Sequence, residues 1–237
     1  MLGATWPGSL LPWDRELAAF KSQHGLTLGR VALRLSASAF IDGLLSSIAR
    51  RTGWRLAEQA WLIRPFRLQS LLGRSSLQAD GLCQLVRADV LATLRDAGGV
   101  LVVDETGLLK KGTRSVGVAR QYCGTAGRVE NCQVGVFVAY TSRFGRALID
   151  RRLYFPEAWA NDAARRHSAA VPEAVAFQTK PAMAAEMIAA ALDAGAPCAF
   201  VLADAHSLGP TPVSAACSKR ASTPTCWCRD PVIRCAR

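Results

Sequence analysis

Two short apolar runs, V-L-V-V at 100–103 and C-A-F-V-L-A at 198–203, lead directly into an aspartate, Asp104 and Asp204. Runs this short and apolar read as strands of a buried sheet. If the two strands lie side by side, both carboxylates emerge at the same edge. Carboxylates crowded there repel each other unless a divalent cation neutralises them. Mg²⁺ takes hard oxygen ligands, and two such ions about 4 Å apart can activate a nucleophile and stabilise a leaving oxygen in phosphoryl transfer. An apolar strand also ends in aspartate merely because the sheet ends there, so the pattern alone leaves both readings open. L-V-V-D-E could also be the acidic strand of an ATPase, but no G-x-x-x-x-G-K-[ST] loop precedes it.

The flanking text organises the chain. Before residue 98 the apolar period is helical. W-D-R-E-L-A-A-F places Asp14 in a capping position, and Val31–Ile48 is a long amphipathic segment. Two shorter helices follow at 55–60 and 65–72, the second with Pro65 in its first turn. Ala79–Asp96 is another, stopped by Gly98 and Gly99. Strands are expected at Val100–Val103, Ser115–Tyr122, Gln133–Thr141 and Ala147–Tyr154. A loop over Pro156–Pro172, a helix over Pro181–Ala194 and the strand Cys198–Ala203 complete the order. The fold class is therefore α+β, with a helical N-terminal domain, 1–97, ahead of a mixed sheet with a packing helix, 98–204.

Charge bears on partners. The chain carries 29 basic and 18 acidic side chains, net +11, which favours an anionic partner, nucleic acid being the commonest. Arginine-rich usage across a genome would give the same balance. No apolar run spans a bilayer, because Ala182–Ala203 is broken by Glu186, Asp193 and Pro197. No basic residue precedes the short apolar patch at the N-terminus, so a cytoplasmic, membrane-free protein is expected. Four of the eight cysteines, Cys217, Cys226, Cys228 and Cys235, crowd into the last stretch, but C-W-C is a poor match to a zinc knuckle.

The segment 102–140, V-V-D-E-T-G-L-L-K-K-G through V-G-V-F-V-A-Y, resembles the catalytic core of bacterial insertion-sequence transposases of the DDE superfamily. The resemblance continues through L-I-D-R-R-L-Y-F-P-E-A-W (148–159), T-K-P (179–181) and V-L-A-D (201–204), covering roughly residues 40–204. It implies an RNase H-like core of three antiparallel strands, a helix, and a fourth strand beside the first. It also implies Mg²⁺-dependent cleavage and transfer of DNA at transposon ends, with Asp104 and Asp204 as two of three catalytic, metal-binding acids. The third, a glutamate, lies on a helix further along in that family.

Other residues carry two readings each. Lys110 and Lys111 could hold DNA phosphates near the metals or form a solvated turn. Residues 55–74 could be a helix–turn–helix with Arg64, Arg67, Gln69 and Arg74 facing DNA, or ordinary packed helices. Glu105 points to the strand face opposite Asp104, which favours a supporting role over metal ligation. Gly124 and Gly127 permit a turn. Trp159 and His167 sit in a loop that could meet DNA, but Trp159 reads better as packing and a lone His167 predicts little.

After Asp204 the chain departs from the family. Residues 205–237 have no sustained period, hold four prolines and contain no glutamate. They read as an aberrant, disordered tail, so the core is expected to be incomplete and the chain truncated and catalytically inactive. Shifted by one base, the codons behind C-W-C can give V-L-V, strand-like text of the family's kind, which suggests a frameshift near Ala205. A second reading is a non-catalytic DNA-binding fragment that competes with intact transposase copies for transposon ends.

Overall fold

The computed structural model describes residues 10–25, 27–75 and 79–203, and the backbone of Thr225–Cys228 (for residues 10 and 11, too, the backbone only). The chain divides into two units, Met1–Leu85 and Val86–Arg237. No described helix is long and apolar enough to cross a membrane.

The first unit holds α1 (Leu10–Gly25), α2 (Val31–Leu45), α3 (Gly53–Gln59), α4 (Phe66–Gly73) and the start of α5 (Ala79–Leu94). Its core is small: Leu56, Ala57 and Leu68 are buried, with Ala39, Phe40, Ile48 and Leu62 packed against them. A Cβ at Gly43 of α2 would overlap the Leu56 side chain, so the bare glycine is what lets α3 close on α2. The buried Ser36 hydroxyl donates to the Ala32 carbonyl at 2.7 Å, which satisfies it within its own helix. Lys21 of α1 pairs with Asp42 of α2. Asp14 does not cap α1, which begins at Leu10 and carries Asp14 inside it. Pro65 is the N-cap of α4 rather than a residue of its first turn.

The second unit is a six-stranded mixed sheet. Its strands are β1 (Val100–Leu109), β2 (Ala119–Cys123), β3 (Arg128–Ser142), β4 (Gly145–Leu153), β5 (Phe200–Ala203) and β6 (Thr225–Cys228). The long β3 pairs antiparallel with β1 along one edge; β2 and β4 share its other edge. On the far side of β1 the strands β5 and then β6 run parallel to it. Parallel pairing of β1 with β5 needs a crossover, and that connection contains α8 (Lys180–Asp193).

One sheet face is packed. Leu101, Val103, Val136, Val138, Tyr140, Val201 and Ala203 meet Met183, Ala184, Met187, Ile188 and Ala191 of α8, with Leu91 of α5. On the other face Val102 lies between Ala139 and Leu202, with Leu148 opposite Ala139. Leu148 is 58% exposed and Leu202 42% exposed, so this row is apolar yet open.

A β-bulge between Val138 and Ala139 inserts Ile149 into β4. The bulge turns both Ile149 and Asp150 toward α5. There Arg87 donates to Asp150 Oδ2 at 2.8 Å, to the Ile149 carbonyl at 3.3 Å and to the Ala190 carbonyl at 3.3 Å. One guanidinium thus ties α5, β4 and α8.

Several segments differ from the sequence expectation. The strand after Val103 does not stop at Asp104 but continues to Leu109, because its second half still pairs with β3. The expected loop 156–172 contains two short helices, α6 (Glu157–Ala160) and α7 (Ala163–Ser168), the latter capped by Asp162. Within the expected disordered tail, Thr225–Cys228 forms β6 against β5; the rest of 205–237 lies outside the described residues.

Both Arg87 and Asp150 side chains are 11% exposed, so removing one leaves a buried charge. Arg87→Met is expected to cost about 3–5 kcal/mol of unfolding free energy, read by urea denaturation. The double variant R87M/D150L should recover most of it; a cost under about 1 kcal/mol for R87M alone would show that the pair does not tie these elements.

Candidate active site

β1 pairs with β5 only as far as Val103 and Ala203, whereas its pairing with β3 runs on to Leu109 and Cys132. Asp104 is therefore the first residue of β1 beyond the described parallel ladder. It is exposed, on the open sheet face, and its Oδ1 accepts from the Glu105 backbone N–H at 2.8 Å. Asp204 follows Ala203 in the sequence and lies outside the described residues. Val103 and Ala203, the residues that precede the two expected acids in the sequence, are partners in that ladder.

Strand parity separates the two adjacent carboxylates. Glu105 faces α8, where Lys180 Nζ stands 2.5 Å from its Oε2. Apart from that ion pair, Glu105 Oε2 is buried without a hydrogen-bond partner. Lys180 sits at the N-terminus of α8, after the Thr179 cap, and lies 5.4 Å above the Tyr154 ring. The buried Cys132 thiol is pushed up to about 11, first by burial and then by neighbouring Cys123; Glu105 adds to the shift and Lys180 opposes it. Burial, then Glu157 and Glu105, raise the Tyr154 phenol. On α8, Arg152 holds the Glu186 carboxyl below its usual range, aided by Gln178.

Within the second unit, Lys110 and Lys111 are not drawn to Asp104. They follow the end of β1, about 20 Å along the strand from it. The Lys110 backbone is held there by Asn131 on both its N–H and its carbonyl, at 2.9 and 2.7 Å. Arg64 before α4, Arg67 and Gln69 on it and Arg74 after it are exposed in the first unit. Gly124 and Gly127 form the β2–β3 turn, with Gly127 at φ +67°. Trp159 is fully buried and its indole donates to the Val118 carbonyl at 2.8 Å, so it packs. His167 is exposed in the last turn of α7.

The sequence reading passed over Arg151. It stands opposite Phe137, which stands opposite Asp104, so cation and carboxylate share one row of the open face. Simple alternation along β4 could not have found it, because the bulge at Ile149 shifts the parity between Leu148 and Arg151. Among the described residues no group of three His, Cys, Asp or Glu side chains is placed to hold a metal ion. Asp104 offers an accessible carboxylate, the hard donor that Mg²⁺ prefers. Asp104 and Asp204 together would supply two of the ligands such an ion needs.

An antiparallel β1–β3–β4 ribbon, a crossover helix and a parallel return strand, with an acid on β1, is the arrangement of a nucleic-acid-processing core of the kind the resemblance implied. The chain belongs to the DDE superfamily endonucleases, whose family pattern matches residues 26–208. It is also 30% identical over 133 residues to a protein of Microchaete diplosiphon described as the probable transposase for insertion sequence element IS701. That match covers 56% of this chain and 30% of the relative, so the chain spans under a third of the relative's length in alignment. No solved structure matches the chain.

Two outcomes test the division of labour between the adjacent acids and the buried cluster behind them. Glu105→Gln should lower stability by about 2 kcal/mol, because Lys180 loses its charged partner in a partly buried site; an unchanged urea midpoint would contradict this. Raised folded-state pKa values mean that the native protein keeps protons the unfolded chain has released. Stability is therefore full below the unfolded thiol value and falls as pH rises from about 9 toward about 11. Urea midpoints measured across that window should decline, and Cys132→Ala should flatten the decline.

Proposed function

We propose that this chain is the N-terminal and first catalytic portion of an insertion-sequence transposase, acting on DNA at transposon ends. Asp104 and Asp204 are its metal-holding acids. The observation that carries the reading is the Val103–Ala203 register, together with the family match running through both acids. Bound Mg²⁺ supplies charge neutralisation and Lewis-acid activation for in-line phosphoryl transfer. The chain's own contribution is positional. Asp104 presents carboxylate oxygens to the open face, and the Glu105–Lys180 pair fixes the strand from behind. Arg151, in the same row as Asp104, is suited to a DNA phosphate.

This chain on its own is catalytically inactive. The family's third acid is a glutamate beyond the second aspartate, and no glutamate follows Glu186 here. Text of the family's kind in another reading frame after Ala205 would establish the frameshift, and its absence from the gene would refute it.

Retained DNA binding without chemistry is the second reading, a fragment that competes with intact transposase copies. The basic first unit favours it, since residues 50–74 hold six arginines and one acid.

The purified chain with Mg²⁺ and transposon-end DNA should give no cleavage or strand transfer above background. Mg²⁺-dependent cleavage abolished by Asp104→Ala would overturn the inactive reading. Gel shifts should show DNA binding that survives Asp104→Ala and weakens steeply with salt as counterions are released; absence of binding would remove the competitor reading.

A further inference from the structure

The turn between α3 and α4 carries two side chains that the fold does not use. Trp61 and Ile63 are each 94% exposed. Leu62 between them packs into the small core with Leu56, Ala57 and Leu68. The turn is pinned: Trp61 N–H donates to the Glu58 carbonyl at 3.1 Å and Leu62 N–H to the Ala57 carbonyl at 2.9 Å. Pro65 is buried just beyond. These bonds make a Schellman helix end, in which the first residue past the cap takes left-handed backbone and is usually glycine. Here that residue is Trp61, at φ +54°. A bulky side chain in this conformation is strained, and an exposed indole gains nothing from packing. The protein therefore carries a strained backbone and a bare aromatic at one residue, with no return inside the fold.

The surroundings say what the indole meets. Arg50, Arg51, Arg55, Arg64, Arg67 and Arg74 are all exposed, and the one acid in this stretch, Glu58, is taken by Arg55 at 3.2 Å. Phe66, 61% exposed, lies beneath the Arg64 guanidinium at 5.9 Å. A duplex satisfies both halves of such a surface, with phosphates for the guanidiniums and base faces for the apolar tips. A protein partner that buried Trp61 and Ile63 would have to supply a ring of acids as well.

We propose that Trp61 and Ile63 insert into the base stack of DNA held by the surrounding arginines, as a wedge that unstacks one step. The inference rests on the DNA-binding reading above and adds to it where, and by which atoms, the stack is opened. The arginines position the duplex and carry the salt dependence, while the turn opens the step. Because left-handed backbone suits glycine, removing the indole should relieve the fold even as it weakens binding. A purely structural role for Trp61 predicts the opposite sign for stability.

The test uses the full chain and short DNA duplexes in which 2-aminopurine occupies successive positions, with affinity read by anisotropy and unstacking by 2-aminopurine fluorescence. Wild-type protein should raise the fluorescence on binding. Trp61→Gly should lose that rise and bind about tenfold more weakly, the loss expected for one stacking contact. Its thermal midpoint should equal or exceed that of wild type. Ile63→Ser should also weaken binding. Arg67→Ala should weaken binding and flatten the salt dependence, yet keep the fluorescence rise at saturating protein. Wild-type affinity in both W61G and I63S, or no fluorescence rise with wild type, would overturn the wedge while leaving DNA binding intact. A wild-type oligomer in sedimentation that W61G dissolves, with DNA affinity unchanged, would overturn it in favour of self-association. No DNA binding by wild type would sink both this inference and the reading it rests on.

Discussion

Everything at the candidate site depends on the parallel pairing of β1 with β5. These strands lie far apart in sequence, and only the α8 crossover can return the chain to run alongside β1 in the same direction. α8 does so by burying Met183, Ala184, Met187, Ile188 and Ala191 against the same sheet face that β1 and β5 share. The pairing also fixes side-chain parity. A slip of one residue would send Asp104 into the packed layer and Glu105 to the open face, since alternate residues face opposite sides. The apolar contacts of Leu101, Val103 and Val201 hold the register against that slip.

Adjacent carboxylates then acquire different chemistry from position alone. Glu105 is spent on Lys180 behind the sheet, where its charge is neutralised and also acts on the Cys132 thiol and Tyr154 phenol. Asp104 faces outward on a surface whose apolar neighbours are only half covered. A strand that needed an acid merely to end a sheet would not continue for five more residues, as β1 does to Leu109. Asp104 is therefore an exposed acid within a strand and not its terminator.

Much of this order was legible from periodicity. The helices of the first unit, the strands either side of the β2–β3 turn, and α8 follow from apolar spacing and turn residues. What was not legible has identifiable causes. The end of β1 was misplaced because its second half, T-G-L-L, is held by pairing to β3 rather than by its own composition. The helices α6 and α7 are too short to show a period, although Asp162, accepting from Arg165 N–H, was a readable cap. Trp61 and Ile63 were passed over because W-L-I reads as core, and only Leu62 goes inside. Both aspartates were visible as the ends of apolar runs, and the β1–β5 register pairs Val103 with Ala203, the residues that precede them in the sequence.

Iron-mediated affinity cleavage tests that alignment most directly. Fe²⁺ substituted at a divalent-cation site, with ascorbate and peroxide, cuts the backbone next to its ligands. If Asp104 and Asp204 hold one cation site, the full chain should be cut near both positions. Excess Mg²⁺ should suppress both cuts together, and Asp104→Asn should abolish both. Cleavage confined to one of the two positions, or an unchanged pattern in Asp104→Asn, would contradict the account.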